Sequence, residues 1–162
     1  MKKLVIVRHA KSSWDDPFSN DHSRPLADRG LKDAPKMAQR LRKEKIFPDA
    51  IISSDAERAK TTAFITAEEL GFPKDDVVLK HSFYLASSST LMAEIHKMPD
   101  EVKTLFIFGH NPGLNDLIWK LGGEIDNLPT SGQFGFKFDV KKWAEASSKN
   151  AKVWFFDFPK KG

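Results

Sequence analysis

Four short apolar runs, Leu4–Val7, Ala50–Ile52, Val77–Leu79 and Leu105–Phe108, punctuate a chain that is otherwise rich in polar residues. Runs of three or four apolar residues bounded by polar turns have the length of buried strands. Between them, apolar positions recur at three- and four-residue steps: Leu31, Ala34, Ala38 and Leu41, then Ala56, Ala59, Ala63, Ala67 and Leu70. That is the spacing of one face of a helix. Pro35 interrupts the first series, and proline lacks an N–H and crowds the preceding turn. This helix is therefore expected either to kink there or to start near Asp33. Further helices are predicted over Thr90–His96 and Pro112–Leu121. Near the end of the chain the period changes from helical to alternating, in Phe134, Phe136 and Phe138 and again in Val153 and Phe155. These read as two more strands, antiparallel at one edge of a sheet.

Strand–helix alternation followed by a β-rich tail predicts an α/β sandwich with a mostly parallel sheet. No repeat, low-complexity tract or Gly/Ser linker divides the sequence, so residues 1–162 are expected to form one domain. Hydrophobic residues at 40% and charged residues at 30% are ordinary for a folded soluble chain. The sequence has no cysteine, which excludes disulfide scaffolds, thiolate metal sites and phosphatases that attack with a cysteine. Met1-Lys2-Lys3 opens like a secretion signal, but Arg8 and His9 end the apolar run after four residues. No other run approaches the roughly 18 residues of a membrane span. A cytoplasmic protein without a membrane partner is the expectation. The net charge of +4 is spread singly and in pairs rather than gathered on a stripe with aromatics. No nucleic-acid partner is expected, and an anionic substrate is the simpler use of the excess.

In open parallel sheets, ligands bind beyond the carboxyl ends of the strands. There the sequence places Arg8-His9-Ala10 after the first strand, Ser53-Ser54-Asp55-Ala56-Glu57-Arg58 after the second, and Gly109-His110-Asn111-Pro112-Gly113 after the fourth. Ser54 and Glu57 have capping-box spacing, which sets Arg58 in the first turn of its helix. Asn111 is a suitable N-cap with Pro112 as first helical residue, which sets His110 just before another helix N-terminus. Helix N-termini attract phosphate, and two guanidiniums add planar forks that bind its oxygens in pairs. Each motif alone is a common surface feature; their joint position at three strand ends is the signal. There is no Walker loop and no Asp-x-Asp signature, and His9, His22, His81, His96 and His110 show no metal-ligand spacing. No metal or other cofactor is expected, and histidine remains as the nucleophile.

These residues resemble the histidine phosphatase superfamily. Its Arg-His-Gly hallmark is matched by Arg8-His9-Ala10, with alanine in the glycine place; its Ser-x-x-x-Arg-x-x-x-Thr pattern by Ser54, Arg58 and Thr62; and its late Gly-His by Gly109-His110. The segments Arg8–Trp14, Asp21–Leu26, Gly109–Gly113 and Pro129–Gly132 are similar to the small SixA-type phosphohistidine phosphatases. The resemblance implies a three-layer α/β/α sandwich of the phosphoglycerate mutase type. It departs from the mutases, which carry a glutamate general acid in a mid-chain insertion. The corresponding stretch, Tyr84–Ser89, has no carboxylate.

The expected mechanism follows. Neutral His9 attacks phosphorus, Arg8, Arg58 and His110 hold the phosphoryl oxygens, and water then cleaves the phosphohistidine enzyme. Asp21 is the first candidate for the proton donor and Asp15 the second. Arg24 is expected to contact substrate or to brace its loop, and Ser12 to donate hydrogen bonds to phosphate. His22, His81 and His96 are expected to be non-catalytic. A phosphohistidine-bearing signalling protein is the leading substrate. Small phosphomonoesters or nucleotides are the alternative, and a binding module without turnover is the third reading. Oligomeric state is left open by the sequence.

Overall fold

The computed structural model describes all 162 residues. Six strands, β1 (Lys2–Arg8), β2 (Ala50–Ser54), β3 (Val78–Lys80), β4 (Thr104–Gly109), β5 (Gln133–Phe138) and β6 (Ala151–Asp157), form one sheet in the order β3-β2-β4-β1-β5-β6. The first four lie parallel, while β5 runs antiparallel to β1 and β6 antiparallel to β5. Four helices accompany them: α1 (Asp28–Lys43), α2 (Glu57–Glu69), α3 (Ser88–His96) and α4 (Gly113–Lys120).

The helices cover both faces because side chains alternate across a strand. Leu4 and Ile6 of β1 join a core with α3 and α4 that includes Leu91, Ile95, Leu114, Leu117 and Trp143. Val5 and Val7 face the other way, into a core with Leu41 of α1 and Ala63, Ala67 and Leu70 from α2 and its end. Burying a large aliphatic side chain contributes about 1.5–3 kcal/mol. A strand apolar on both sides is thus stable only in the middle layer. The result is the three-layer sandwich expected, and the Phe134, Phe136 and Phe138 alternation marks β5 filling the α3–α4 side.

Of the two alternatives for the first helix, the late start near Asp33 is overturned. Helix α1 begins at Asp28, and Pro35 sits inside it. The helix tolerates the proline because its apolar positions, Ala34, Met37, Ala38 and Leu41, are buried and hold the segment in place. No helix is long and apolar enough to cross a membrane.

Candidate active site

The register of the parallel strands brings the three motifs level: Arg8 pairs with Gly109, and Ser53 with Phe108. Beyond these ends lies a pocket of about 240 Å³, whose lining includes Arg8, His9, Ser12, Arg24, Arg58 and His110 and no carboxylate. The sequence-predicted residues other than Asp21 thus meet in one place. A larger cleft of about 670 Å³ beside Arg40 and Trp154 contains no histidine, and its Arg40 is already paired with Asp157 at 3.0 Å.

His9 leaves β1 with only 6% of its surface exposed. Its Nδ1 donates to the Ala10 carbonyl at 2.7 Å, which fixes the tautomer and leaves Nε2 with its lone pair. Burial, reinforced by Arg58, Arg8 and Arg24 and opposed by the Ala10 hydrogen bond, lowers its pKa to about 4. The expectation of a neutral His9 holds, with burial as the leading cause rather than the arginines. Ala10, in the place of the family's glycine, packs its methyl with Leu26 and Ala34. Its N–H donates to Thr62 Oγ1 at 3.0 Å, and the Thr62 hydroxyl donates to the Arg58 carbonyl at 2.8 Å. One threonine thereby ties the loop after His9 to α2.

The loop Pro129–Gly132 supports the same strand end from the other side. Ser131 N–H donates to the His9 carbonyl at 3.1 Å, and Arg8 N–H to the Gly132 carbonyl at 3.0 Å. Ser131 takes φ 62°, the left-handed region that non-glycine residues seldom adopt. Gly30 of α1 lies so close to the loop after His9 that a Cβ there would stand 2.2 Å from the Lys11 carbonyl oxygen.

His110 is 3% exposed, and its ring centroid lies 5.3 Å from that of His9. Ser54 Oγ accepts from Ala56 N–H at 3.1 Å and sits 2.8 Å from His110 Nε2, to which its own proton can be donated. The ring proton of His110 then belongs on Nδ1, a buried atom without a partner in the chain. Burial first, then His9 and Arg58, lower the His110 pKa to about 3. Ser54 therefore serves His110 and not a capping box, and α2 starts after Ala56 with no side-chain cap. Arg58 is nonetheless in the first turn. Asn111 likewise lies one residue outside its predicted cap position: Pro112 precedes α4, and Asn111 Oδ1 accepts from Asn115 N–H at 3.2 Å.

Three of the pocket-lining residues each have a buried ring or guanidinium nitrogen without a partner in the chain. Arg8 Nε, Arg58 Nε and His110 Nδ1 all lack a hydrogen-bond partner. Leaving such groups unpaired costs about 1–3 kcal/mol each, more when charged. Arg8 Nη1 donates to the Leu128 carbonyl at 3.0 Å. Arg58 donates from Nη1 to the Asp21 carbonyl at 2.7 Å and from Nη2 to Asp21 Oδ2 at 3.0 Å.

Asp21 lies outside the pocket lining, against Arg58. Its carboxylate also accepts from Tyr84 and, at 3.2 Å, from Arg24 Nη2. Although partial burial works in the opposite direction, the Tyr84 hydroxyl, Arg58 and Arg24 hold its pKa at about 2. It is ionised at neutral pH, and its carboxylate and carbonyl both accept from Arg58. Asp15, the second candidate, is exposed and outside the pocket lining. Arg24 braces its loop through Ser12, Asp21 and the Trp14 ring, 3.7 Å from its Cζ, and also lines the pocket. Ser12, buried and also in the pocket lining, accepts from Arg24. Sequence reasoning misses Tyr84, the chain's single tyrosine, because nothing around it in the sequence signals an Asp21 partner.

A second cluster lies on the far side of Tyr84. His22 Nε2 is 2.8 Å and His81 Nδ1 3.0 Å from the Asp55 carboxylate. These three residues come from separate turns, so no spacing rule joins them.

Residues 4–80 match the histidine phosphatase superfamily, branch 1. An uncharacterized chloroplastic protein of Arabidopsis thaliana is 34% identical over 154 residues, which cover 90% of this chain and 70% of that protein. SixA of Agrobacterium tumefaciens superposes with TM-score 0.83 at 25% identity, covering 98% of each chain. A protein histidine phosphatase SixA complexed with tungstate gives TM-score 0.82 at 21% identity over 97% of each chain, a likeness of fold. A buried neutral histidine, two arginines with unpaired donors and a second buried histidine at the ends of three parallel strands thus agree with the matched sequence: the chain belongs to the histidine phosphatase superfamily, with a SixA-type fold, and is a hydrolase.

Proposed function

We propose that the protein is a phosphohistidine phosphatase whose nucleophile is His9 Nε2 and whose substrate is a phosphohistidine side chain of another protein. The observation that carries this reading is the pocket itself: a neutral nucleophile beside unpaired cationic donors, with no carboxylate in the lining. In the first step Nε2 forms a bond to phosphorus while the P–N bond of the substrate breaks. The electron pair returns to the departing imidazole, which leaves neutral because its other ring nitrogen carries a proton. In the second step water forms the P–O bond, and the P–Nε2 bond breaks to regenerate neutral His9. Arg8, Arg58 and His110 Nδ1–H support the three equatorial oxygens in both steps.

The choice of substrate rests on the leaving group. An alkoxide needs a proton at departure, whereas a protonated imidazole does not. With Asp21 ionised, the site lacks a carboxylic acid of raised pKa, which fits the easier leaving group. The rim supports a protein partner, because Trp14 and Phe18 stand 71% and 95% exposed at the entrance loop. Small phosphomonoesters remain the second reading, favoured by the small pocket volume of about 240 Å³.

Single-turnover release of phosphate from a phosphohistidine protein and from small phosphomonoesters, with EDTA present, tests the proposal. Faster release from phosphohistidine, lost in His9→Ala, is the expected outcome. Faster turnover of the small esters transfers the assignment to them, and equal activity of His9→Ala removes His9 as nucleophile.

A further inference from the structure

The cluster on the outer side of Tyr84 has chemistry that the phosphatase reaction does not use. His22 comes from the one-turn 3-10 helix Asp21–Ser23 and Asp55 from the turn between β2 and α2. His81 opens a second one-turn 3-10 helix, His81–Phe83, directly after β3. Their ligand atoms, two imidazole nitrogens and a carboxylate oxygen, all lie within 4.8 Å of one another. We propose that His22, Asp55 and His81 form a binding site for one divalent transition-metal ion of the zinc class, at the rim of the phosphatase pocket.

Geometry supports the assignment. In a tetrahedral zinc site with bonds of about 2.0–2.2 Å, neighbouring ligand atoms stand about 3.3 Å apart. The nitrogen–oxygen separations here are 2.8 Å for His22 and 3.0 and 3.1 Å for His81. Shifts of a few tenths of an ångström bring these separations to the zinc value, and the two imidazole nitrogens, which stand up to 4.8 Å apart, must close by up to about 1.5 Å. The hydrogen bonding also suits a metal. Neither imidazole has a hydrogen bond at its other nitrogen, so either proton can shift to that atom and free the lone pair now facing Asp55. The Asp55 carboxylate brings negative charge to the cluster. Two imidazoles and a carboxylate suit zinc, nickel and cobalt, whereas magnesium prefers all-oxygen shells and retains its water.

The surroundings fix the ligands without closing the site. The Tyr84 ring packs edge-on to His22 at 4.8 Å and lies 5.8 Å from His81. His81 is 75% exposed at its side chain, which gives the ion an entry path and leaves its remaining position to water. The site is distinct from the His9–His110 pair, since Tyr84 stands between, 5.5 Å from His110.

Calorimetric titration of the metal-free protein with Zn²⁺ at pH 7.5 tests this without reference to turnover. We expect one ion per chain with a Kd of about 10 μM or tighter, no comparable Mg²⁺ binding, and at least a tenfold loss in His81→Ala and in Asp55→Asn. His81 is exposed enough for its replacement to leave the fold intact, which the circular dichroism of the variant checks. His9→Ala should bind Zn²⁺ as the wild type does. Absence of binding at 100-fold higher Zn²⁺ overturns the site, and so does binding that survives both substitutions or disappears in His9→Ala.

Discussion

Two histidine pairs lie on either side of the Tyr84 ring, and the chain gives them opposite environments. His9 and His110 are buried, face arginines and have no carboxylate in contact, so burial holds both neutral. His22 and His81 are partly or largely exposed and share the ionised Asp55. The residue type is the same; what differs is desolvation and the sign of the neighbouring charge. The inner pair is prepared for an anion, with a lone pair on one ring and an N–H on the other. The outer pair is prepared for a cation. Tyr84 keeps them apart and touches both, while its hydroxyl holds Asp21 against Arg58.

The contrast breaks most completely at His9. On the proposed mechanism, His9→Ala should lower phosphatase turnover at least about 10³-fold and abolish acid-labile phosphoenzyme. Trapping with labelled substrate measures it; an undiminished phosphoenzyme would place the phosphoryl group on another residue. The next effect belongs to Arg58→Lys, with an expected loss of about 10²-fold or more in kcat/KM. The guanidinium reaches Asp21 with two nitrogens from within the pocket lining, and a lysine point charge cannot reproduce that two-pronged contact. Steady-state kinetics reads this directly, and near-normal turnover would mean that Arg8 and His110 suffice.

Asp21→Asn should cost less, about tenfold, and through orientation of Arg58. Asparagine retains an oxygen for Arg58 and Tyr84 but loses the charge. The shape of the pH–rate profile is therefore expected to stay as in the wild type, with the level reduced. Loss of one limb of that profile would restore Asp21 as a proton carrier and contradict its low pKa.

Much of this arrangement is legible in the sequence because it depends on strand ends. Where an apolar run gives way to Arg8-His9 or Gly109-His110, the parallel register leaves little choice about position. The cap assignments fail for a different reason: Ser54 and Asn111 have caps as their ordinary use, but tertiary neighbours, His110 and the Asn127–Leu128 segment, compete for their polar atoms. The position of Asp21 beside the site is legible but its chemistry is not, because its pKa is decided in part by Tyr84, 63 positions away. The His22–Asp55–His81 cluster is hidden in the same way, being assembled from three turns whose separation in sequence follows no ligand spacing.

The smallest expected signal sharpens the comparison most. Between pH 5 and pH 8, the imidazole resonances of His9 and His110 should not move in an NMR titration, because their pKa values are depressed to about 4 and about 3. In the unfolded chain both rings bind a proton near the ordinary value of about 6.5. The unfolded state therefore binds more protons as the pH falls below that value, and stability must fall with it. The contribution from keeping these rings neutral is complete above about pH 6.5 and is lost as the pH drops through about 4 and then about 3. Urea unfolding at pH 7 and pH 5 should show that decline in the wild type and less of it in His110→Gln, whose amide does not titrate. A His9 resonance that titrates near 6.5 would mean that burial does not control the nucleophile, and the distinction between the inner and outer pairs would then rest on charge alone.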